Sequence, residues 1–368
     1  MPSQTAIQWC HSTVNPVMGC DGCPLLPTRA EITQFIADAT AAHAGHRDRT
    51  WVKGMADVYV AAPTDGDIRT RAEQALTAML DVFAPGMSTA DRCEVFRQLG
   101  RRFRCYAFTL HHRLGAGNPG YARVFDKPQQ FPGRMAEIAR LGAPTPAETE
   151  AKPWLAGIRR MIFVSDMGDA LSANVPFEYL KQEIVDTVTT ADGSRHIWLW
   201  LTKRPRRMAD FADWLGAQGI NWPANLVPMA SVLNMAYARH AIELNRIPAR
   251  VRGYSLEPLG QGLKLPDELL GPDRWLIAGG ESGVGARDHP FELQWARDLR
   301  DQCAATGAAF FLKQLGGVAT DNGKHYPVND GHGGNWNEWP VDLRIRAVPD
   351  EFRAGSATAT PTPELAAV

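Results

Sequence analysis

Six short apolar runs, each four to six residues long, punctuate the chain beyond residue 160, and each is closed by polar residues or glycine. They lie in RMIFVSDMGD (160–169), HIWLWLTKRP (196–205), NLVPMASVLN (225–234), RVRGYSLEP (250–258), RWLIAGGESG (274–283) and AAFFLKQLGG (308–317). Runs rich in Ile, Val, Leu, Phe and Trp are expected of strands buried on both faces. Stretches of helical character separate them: PFEYLKQEIVDTVTTA after the first, PRRMADFADWLGAQG after the second, MAYARHAIELNRI after the third and PFELQWARDLRDQCAATG after the fifth. This alternation predicts an α/β fold with a parallel sheet. With a further strand near STVNPVM (12–18), it suits a complete or partial TIM-type (β/α) barrel. A doubly wound open sheet is the alternative. Either architecture gathers chemistry at the C-terminal ends of its strands, so polar residues closing the runs, among them Ser165, Ser231 and Ser255, become candidates.

The interval 24–104 breaks the pattern. PTRAEITQFIADATAAH, RTRAEQALTAMLDVFAPG and STADRCEVFRQLGRRFR read as helices, the last with Ser88 or Thr89 as N-cap. The C-terminal AGSATATPTPELAAV has no periodicity, and a disordered tail is expected over 351–368.

Composition narrows the function classes. A formal net charge of −1 over 368 residues gives no global basic field for nucleic acid. No apolar run reaches transmembrane length, and the start MPSQTAIQWCHS lacks a signal peptide's charged and apolar regions. A soluble, cytoplasmic protein without a membrane partner is expected.

Six cysteines are too few for a disulfide scaffold in a chain this long, so clustered ones point to metal or cluster ligation. Cys20 and Cys23 form a C-x-x-C pair in NPVMGCDGCPLLPT. Thiol redox chemistry is disfavoured, because Pro24 and Pro27 follow and no thioredoxin-like pattern surrounds the pair. Structural zinc needs four ligands, for which Cys10, Cys20, Cys23 and Cys105, or His11 in place of one, are available. An iron–sulfur cluster needs three cysteines if one iron stays open. Cys93 and Cys303 read as small buried hydrophobes within helices.

IQWCHSTVNPVMGC resembles the opening of the phage-encoded and bacterial three-Cys-motif proteins, in which Trp-(Thr/Cys)-x-x-Thr-x-Asn-Pro-x-x-Gly-Cys precedes Gly-Cys-x-x-Cys-Tyr-Ala. The likeness continues through LTKRPRRM, IPARVRGYSLEPL, LIAGGESGVGAR and LRDQCAATGAAFFLKQLGG. The resemblance implies a radical-SAM-like TIM-type barrel with three cysteines holding a [4Fe–4S] cluster that binds S-adenosylmethionine. It also implies a companion three-Cys-motif partner protein and, by association, a nucleobase, nucleoside or nucleic-acid substrate. Here CYA comes late, as Cys105-Tyr106-Ala107. The trio is therefore read as Cys20, Cys23 and Cys105 with the helical segment inserted in the cluster loop, since loop-closure cost rises slowly with length. A set including Cys10, or zinc, is the alternative. The resulting division is 1–23 for the first strand and the start of the cluster loop, 24–104 for the insertion, 105–350 for the remaining barrel and 351–368 for the tail. A non-catalytic, partner-binding protein with structural zinc or a vestigial cluster is the competing function.

The strand ends supply the rest of a site. In AGGES, Gly279 and Gly280 would let backbone approach a ligand while Glu281 takes an ammonium or a ribose hydroxyl; a tight turn with a capping Glu281 or Ser282 is the alternative. Glu257 in SLEP needs a cation inside a barrel mouth, with Lys203, Arg204 and Lys313 as candidates. It contacts cofactor or substrate on one reading and closes a structural ion-pair layer on the other. Asp166 and Asp169 in SDMGD are an acid/base or Mg²⁺ pair, or loop caps. Glu257, Lys203 and Asp166 are assigned to the catalytic group, and Tyr106, Gly279, Gly280, Glu281, Ser282 and Lys313 to the cofactor.

Overall fold

A computed structural model describes residues 5–20, 107, 110–111, 118–123, 125, 127–287 and 289–355. The 24–104 insertion lies outside these residues. The chain divides into two compact units, one from 1–16, 131–171 and 175–368, the other from 17–130 and 172–174.

The six apolar runs and the first residues of STVNPVM become strands of one sheet in the first unit. They are β1 (Ser12–Val14), β2 (Met161–Val164), β3 (Ile197–Thr202), β4 (Leu226–Ser231), β5 (Arg252–Leu256), β6 (Arg274–Gly279) and β7 (Ala309–Gln314). Every neighbouring pair is parallel, and the strands lie in chain order. The helices are α1 (Arg134–Ala139), α2 (Pro146–Ala151), α3 (Phe177–Leu180, widening through Lys181–Val185 and ending at Asp186–Val188), α4 (Pro205–Ala217), α5 (Met235–Ala241) and α6 (Leu293–Thr306). α3, α4, α5 and α6 fall where the helical pattern was read. A small sheet of Phe291–Glu292, Ala319–Asp321 and Lys324–Tyr326 accompanies them.

The sheet is curled into a half-barrel. Phe163 of β2, Leu199 of β3, Met229 of β4, Ile277 of β6 and Phe311 of β7 meet in one buried cluster with Trp9 and Cys10. The Trp9 ring lies 4.6 Å from Phe163 and 6.2 Å from Trp275 of β6. In a flat sheet β2 and β6 would be about 19 Å apart, too far for one indole to touch both. Burial of β2 and β4 on both faces explains their lack of polar alternation. Among the described residues β1 and β7 do not pair with each other. The free edge of β7 is covered instead by residues 345–347, where the Leu312 amide donates to Ile345 and the Ala347 amide to Phe310, both at 2.9 Å.

Polar anchors fix the N-terminal ends of the strands. The Lys152 ammonium donates to the carbonyls of Thr5, Ile7 and Cys10 at 2.8, 2.6 and 2.6 Å, holding the segment that inserts Trp9. Arg160 forks onto Glu148 at 2.8 Å on both arms and also donates to Ser12 Oγ at 3.1 Å. The expected tail boundary at 351 is corrected: Phe352 is 1% exposed in the half-barrel core, and its carbonyl accepts from the Arg159 amide at 2.9 Å. A large aromatic ring buried there anchors the chain past that point. No helix among the described residues is long and apolar enough to cross a membrane.

The second unit contains an antiparallel pair of Val17–Met18 with Gln129–Gln130. Beside it, the Cys20 amide donates to the Phe125 carbonyl at 2.7 Å.

Candidate functional site

Alternation along the strands carries the half-barrel core into a polar rim at the strand ends. Two positions beyond an inward apolar residue come Ser165 after Phe163, Lys203 after Leu201, Ser231 after Met229, Gly279 after Ile277 and Lys313 after Phe311. On β5 the same parity brings Ser255, paired in register with Ile277, and then Glu257. All lie at C-terminal strand ends, where parallel α/β folds carry their sites.

Glu257 is the charged centre of this rim. Its Oε1 is 2.7 Å from the Lys313 ammonium, and its Oε2 accepts from Trp9 Nε1 and Ser255 Oγ, each at 3.2 Å. Lys313 is therefore the cation, and neither Lys203 nor Arg204 supplies the pair. The side chains are 14% and 22% exposed, so the pair borders solvent while Trp9 seals it from below. Replacing Lys313 with methionine should leave Glu257 facing apolar wall and lower stability by about 2 kcal/mol. Chemical denaturation measures this, and Lys313→Arg should restore most of the loss.

Cys10 lies fully buried beneath the rim. Burial pushes its thiol up to about 12, against the pull of Lys152 and Lys313, while Asp166 and Glu257 add to the rise. Asp166 itself is raised by burial, opposed by hydrogen bonds from Asn15, whose Nδ2 is 2.5 Å from Oδ1, and from Thr13. Asn15 in turn accepts from the Met167 amide at 2.8 Å.

Asp169 is a loop cap. It accepts from Thr202 Oγ1 at 3.0 and 2.8 Å, from the Leu171 amide at 3.0 Å and from the Lys203 amide at 3.2 Å, with Arg204 at 3.7 Å. The Lys203 ammonium makes no ion pair or hydrogen bond among the described residues.

The AGGES loop divides. Gly279 faces Glu257: a Cβ there would lie 3.3 Å from Oε1. Gly280 instead packs on the protein's own backbone, with the Leu315 carbonyl oxygen 2.4 Å from where a Cβ would sit. Glu281 pairs with His289 Nδ1 at 3.1 Å, and its carbonyl accepts from the Gly317 amide at 2.8 Å. Glu281 and the half-buried Ser282 thus sit in the loop after β6, where Glu281 is engaged by His289 and Gly317.

Of the assigned cluster ligands, Cys20 is described and buried, whereas Cys23 and Cys105 lie outside the described residues, as does Tyr106 of the cofactor group. Among the described residues no three His, Cys, Asp or Glu side chains converge as a metal site. His11 is committed elsewhere: its Nδ1 accepts from the Met161 amide at 3.0 Å. Cys303 is a buried thiol raised to about 12 by desolvation, as expected of a packing cysteine.

A family model described as "Protein of unknown function (DUF5131)" matches residues 100–340, more than half of the chain. The chain belongs to the DUF5131 family. The DUF5131 match takes in Cys105 and strands β2 to β7, hence every rim residue named above, and begins after Cys20 and Cys23. No curated protein and no solved structure matches the chain.

Trp9 is the contact to the rim that strand-end logic passed over. It precedes β1 and reaches Glu257 across 248 positions. Its only sequence signal is its place in the WCHSTVNP motif.

Proposed function

We propose that this DUF5131 member is a radical-SAM-like enzyme built on a partial TIM-type barrel. In this reading Cys20, Cys23 and Cys105 hold a [4Fe–4S] cluster, and S-adenosylmethionine and a nucleobase-containing substrate bind along the rim. The observation that carries the reading is the charged pair Glu257–Lys313, set in a polar rim above an apolar half-barrel core. Burying such a pair is costly, and a role at a ligand would account for keeping it there. The cluster would supply the electron for cofactor cleavage. Glu257 would take a donor group of the bound molecule, and Trp9 and Ser255 would fix the carboxylate's orientation.

The thiolate donor set fits iron–sulfur chemistry. A local feature also supports the split trio. Gly19, at φ +89°, packs so closely on Phe125 that a Cβ would lie 2.6 Å from the Phe125 carbonyl oxygen. The chain twenty positions past Cys105 is thereby held against the residue preceding Cys20.

Anaerobic reconstitution tests the reading. The expected result is a brown protein with about four irons per chain, absorbing near ~400 nm, which cleaves S-adenosylmethionine when reduced. Cys105→Ser should lose the iron and Cys10→Ser should keep it. A colourless preparation carrying a single zinc would establish the structural-metal alternative instead. Iron lost from Cys10→Ser but retained in Cys105→Ser would exclude the proposed trio.

A further inference from the structure

Ser165 combines two features that rarely coexist in a residue with only a structural role. It closes β2 with φ +73°, in the left-handed region that a residue with a Cβ adopts at a cost. It is also 5% exposed, and its hydroxyl has no hydrogen-bond partner. The backbone is pinned, since the Ser165 amide donates to the Val14 carbonyl at 2.8 Å. Glycine would serve that turn better, and alanine would spare a buried polar atom. Neither constraint of the fold explains a serine.

The neighbouring strand presents a second uncommitted group. Val164 is opposite Trp200 in the β2–β3 register, so Ser165 is level with Leu201 and Lys203 is one inward position further along. Strand spacing and rise put the two Cα atoms roughly 8 Å apart. Asp169, whose carboxylate accepts from the Lys203 amide, is already taken up by Thr202, the Leu171 amide and Arg204. Among the described residues Lys203 makes no ion pair and the Ser165 hydroxyl has no partner, and the two stand on adjacent strands of the same rim.

We infer that Ser165 and Lys203 form a subsite for a phosphorylated sugar, in which the serine hydroxyl meets a ribose-type hydroxyl and the lysine meets the phosphate. A hydroxyl both donates and accepts, so it suits an uncharged polyol group. An ammonium is a compact point charge suited to a phosphate. This deepens the proposed function and rests on its claim that the rim binds substrate. A nucleoside monophosphate and a simple sugar phosphate share the chemistry, and the test separates them.

Calorimetric titration and thermal shift with AMP, ribose 5-phosphate and inorganic phosphate are the measurement, on wild type, Ser165→Gly, Ser165→Ala and Lys203→Met. AMP is expected to bind. Ribose 5-phosphate binding equally well would identify the sugar phosphate as sufficient, and binding less well would identify the nucleotide. Ser165→Gly should raise the melting temperature of the unliganded protein by about 1–3 °C, because strain and an orphan hydroxyl are both removed. It should also weaken binding about tenfold. Ser165→Ala should weaken binding similarly, and Lys203→Met more strongly. A merely structural serine would lower the melting temperature when replaced and leave affinity alone, which overturns the inference. So would binding of inorganic phosphate as tight as that of AMP, or no binding of AMP and ribose 5-phosphate. Iron content is measured in parallel. Full iron and cofactor cleavage without binding of either sugar phosphate removes the subsite while sparing the radical-SAM reading.

Discussion

Gly280→Ala is expected to destabilise the protein by about 3 kcal/mol, whereas Gly279→Ala, one residue earlier, costs less than about 1 kcal/mol. The added methyl at 280 would meet the Leu315 carbonyl oxygen at 2.4 Å and Phe291 Cβ at 2.7 Å. Neither can yield cheaply. The Leu315 amide is bonded to the Gly333 carbonyl at 2.9 Å, and Phe291 is 0% exposed. Gly280 is also tied on both sides, its amide to the Gln314 carbonyl at 3.0 Å and its carbonyl to Gln314 Nε2 at 2.9 Å. A methyl at 279 would instead touch Glu257 Oε1 and Gln314 Cγ at 3.3 Å, a tight fit against groups that can shift a few tenths of an ångström. Its effect should appear at the site, as altered ligand binding near Glu257, more than in stability. Guanidinium denaturation with unchanged m-values checks the comparison. Equal losses in the two variants would show that Gly280 is not the tightly packed position.

This pair shows where the sequence was readable and where it was not. The strands were legible because residues such as Met161–Val164 and Leu226–Ser231 are buried on both faces, and a continuous apolar run is the signature of that environment. Their chain order followed from the helices between them. The polar rim was legible too, since strand ends are fixed once strands are. Closure was not legible. Nothing in IQWC says that Trp9 will lie between Phe163 and Trp275, or that Lys152 will bind three carbonyls to keep it there. Those contacts join residues far apart in sequence and depend on the curl of the sheet. The two glycines of AGGES were both read as making room for a ligand. Gly279 does face the charged pair, but Gly280 makes room for Leu315, a distinction that depends on which backbone passes behind. The choice of Lys313 over Lys203 as the partner of Glu257 was not legible either, because β3 and β7 each lie two strands from β5 and spacing along the sheet does not separate them.

Acid is expected to unfold the protein in two stages set by the N-terminal anchor. Burial, reinforced by the charges of Arg160 and Lys152, lowers His11 from 6.5 to about 4. The imidazole must stay neutral, because its Nδ1 accepts the Met161 amide at 3.0 Å. An unfolded chain protonates His11 near its ordinary value while the folded chain resists, so the unfolded state binds more protons as the pH falls. Stability on this account is complete above about pH 6.5 and is lost progressively toward pH 4, by about 3 kcal/mol. Glu148 acts lower. Its hydrogen bonds from Arg160 hold it down from 4.5 to about 2, so it stabilises fully above about pH 4.5 and loses roughly 3 kcal/mol on the way to pH 2. The two groups share Arg160, and the losses should therefore add only in part. His11→Asn keeps an acceptor for the Met161 amide but cannot titrate, and it should flatten the stability profile between pH 6.5 and 4 without changing the lower stage. Glu148→Gln should do the reverse, at the cost of weaker anchoring of Arg160 throughout. Denaturation midpoints measured at half-unit pH intervals distinguish the stages, and an unchanged upper slope in His11→Asn would assign it to another group. Because Arg160 also donates to Ser12 in β1, opening this anchor should loosen the strand that leads to Cys20 before the rest of the sheet gives way.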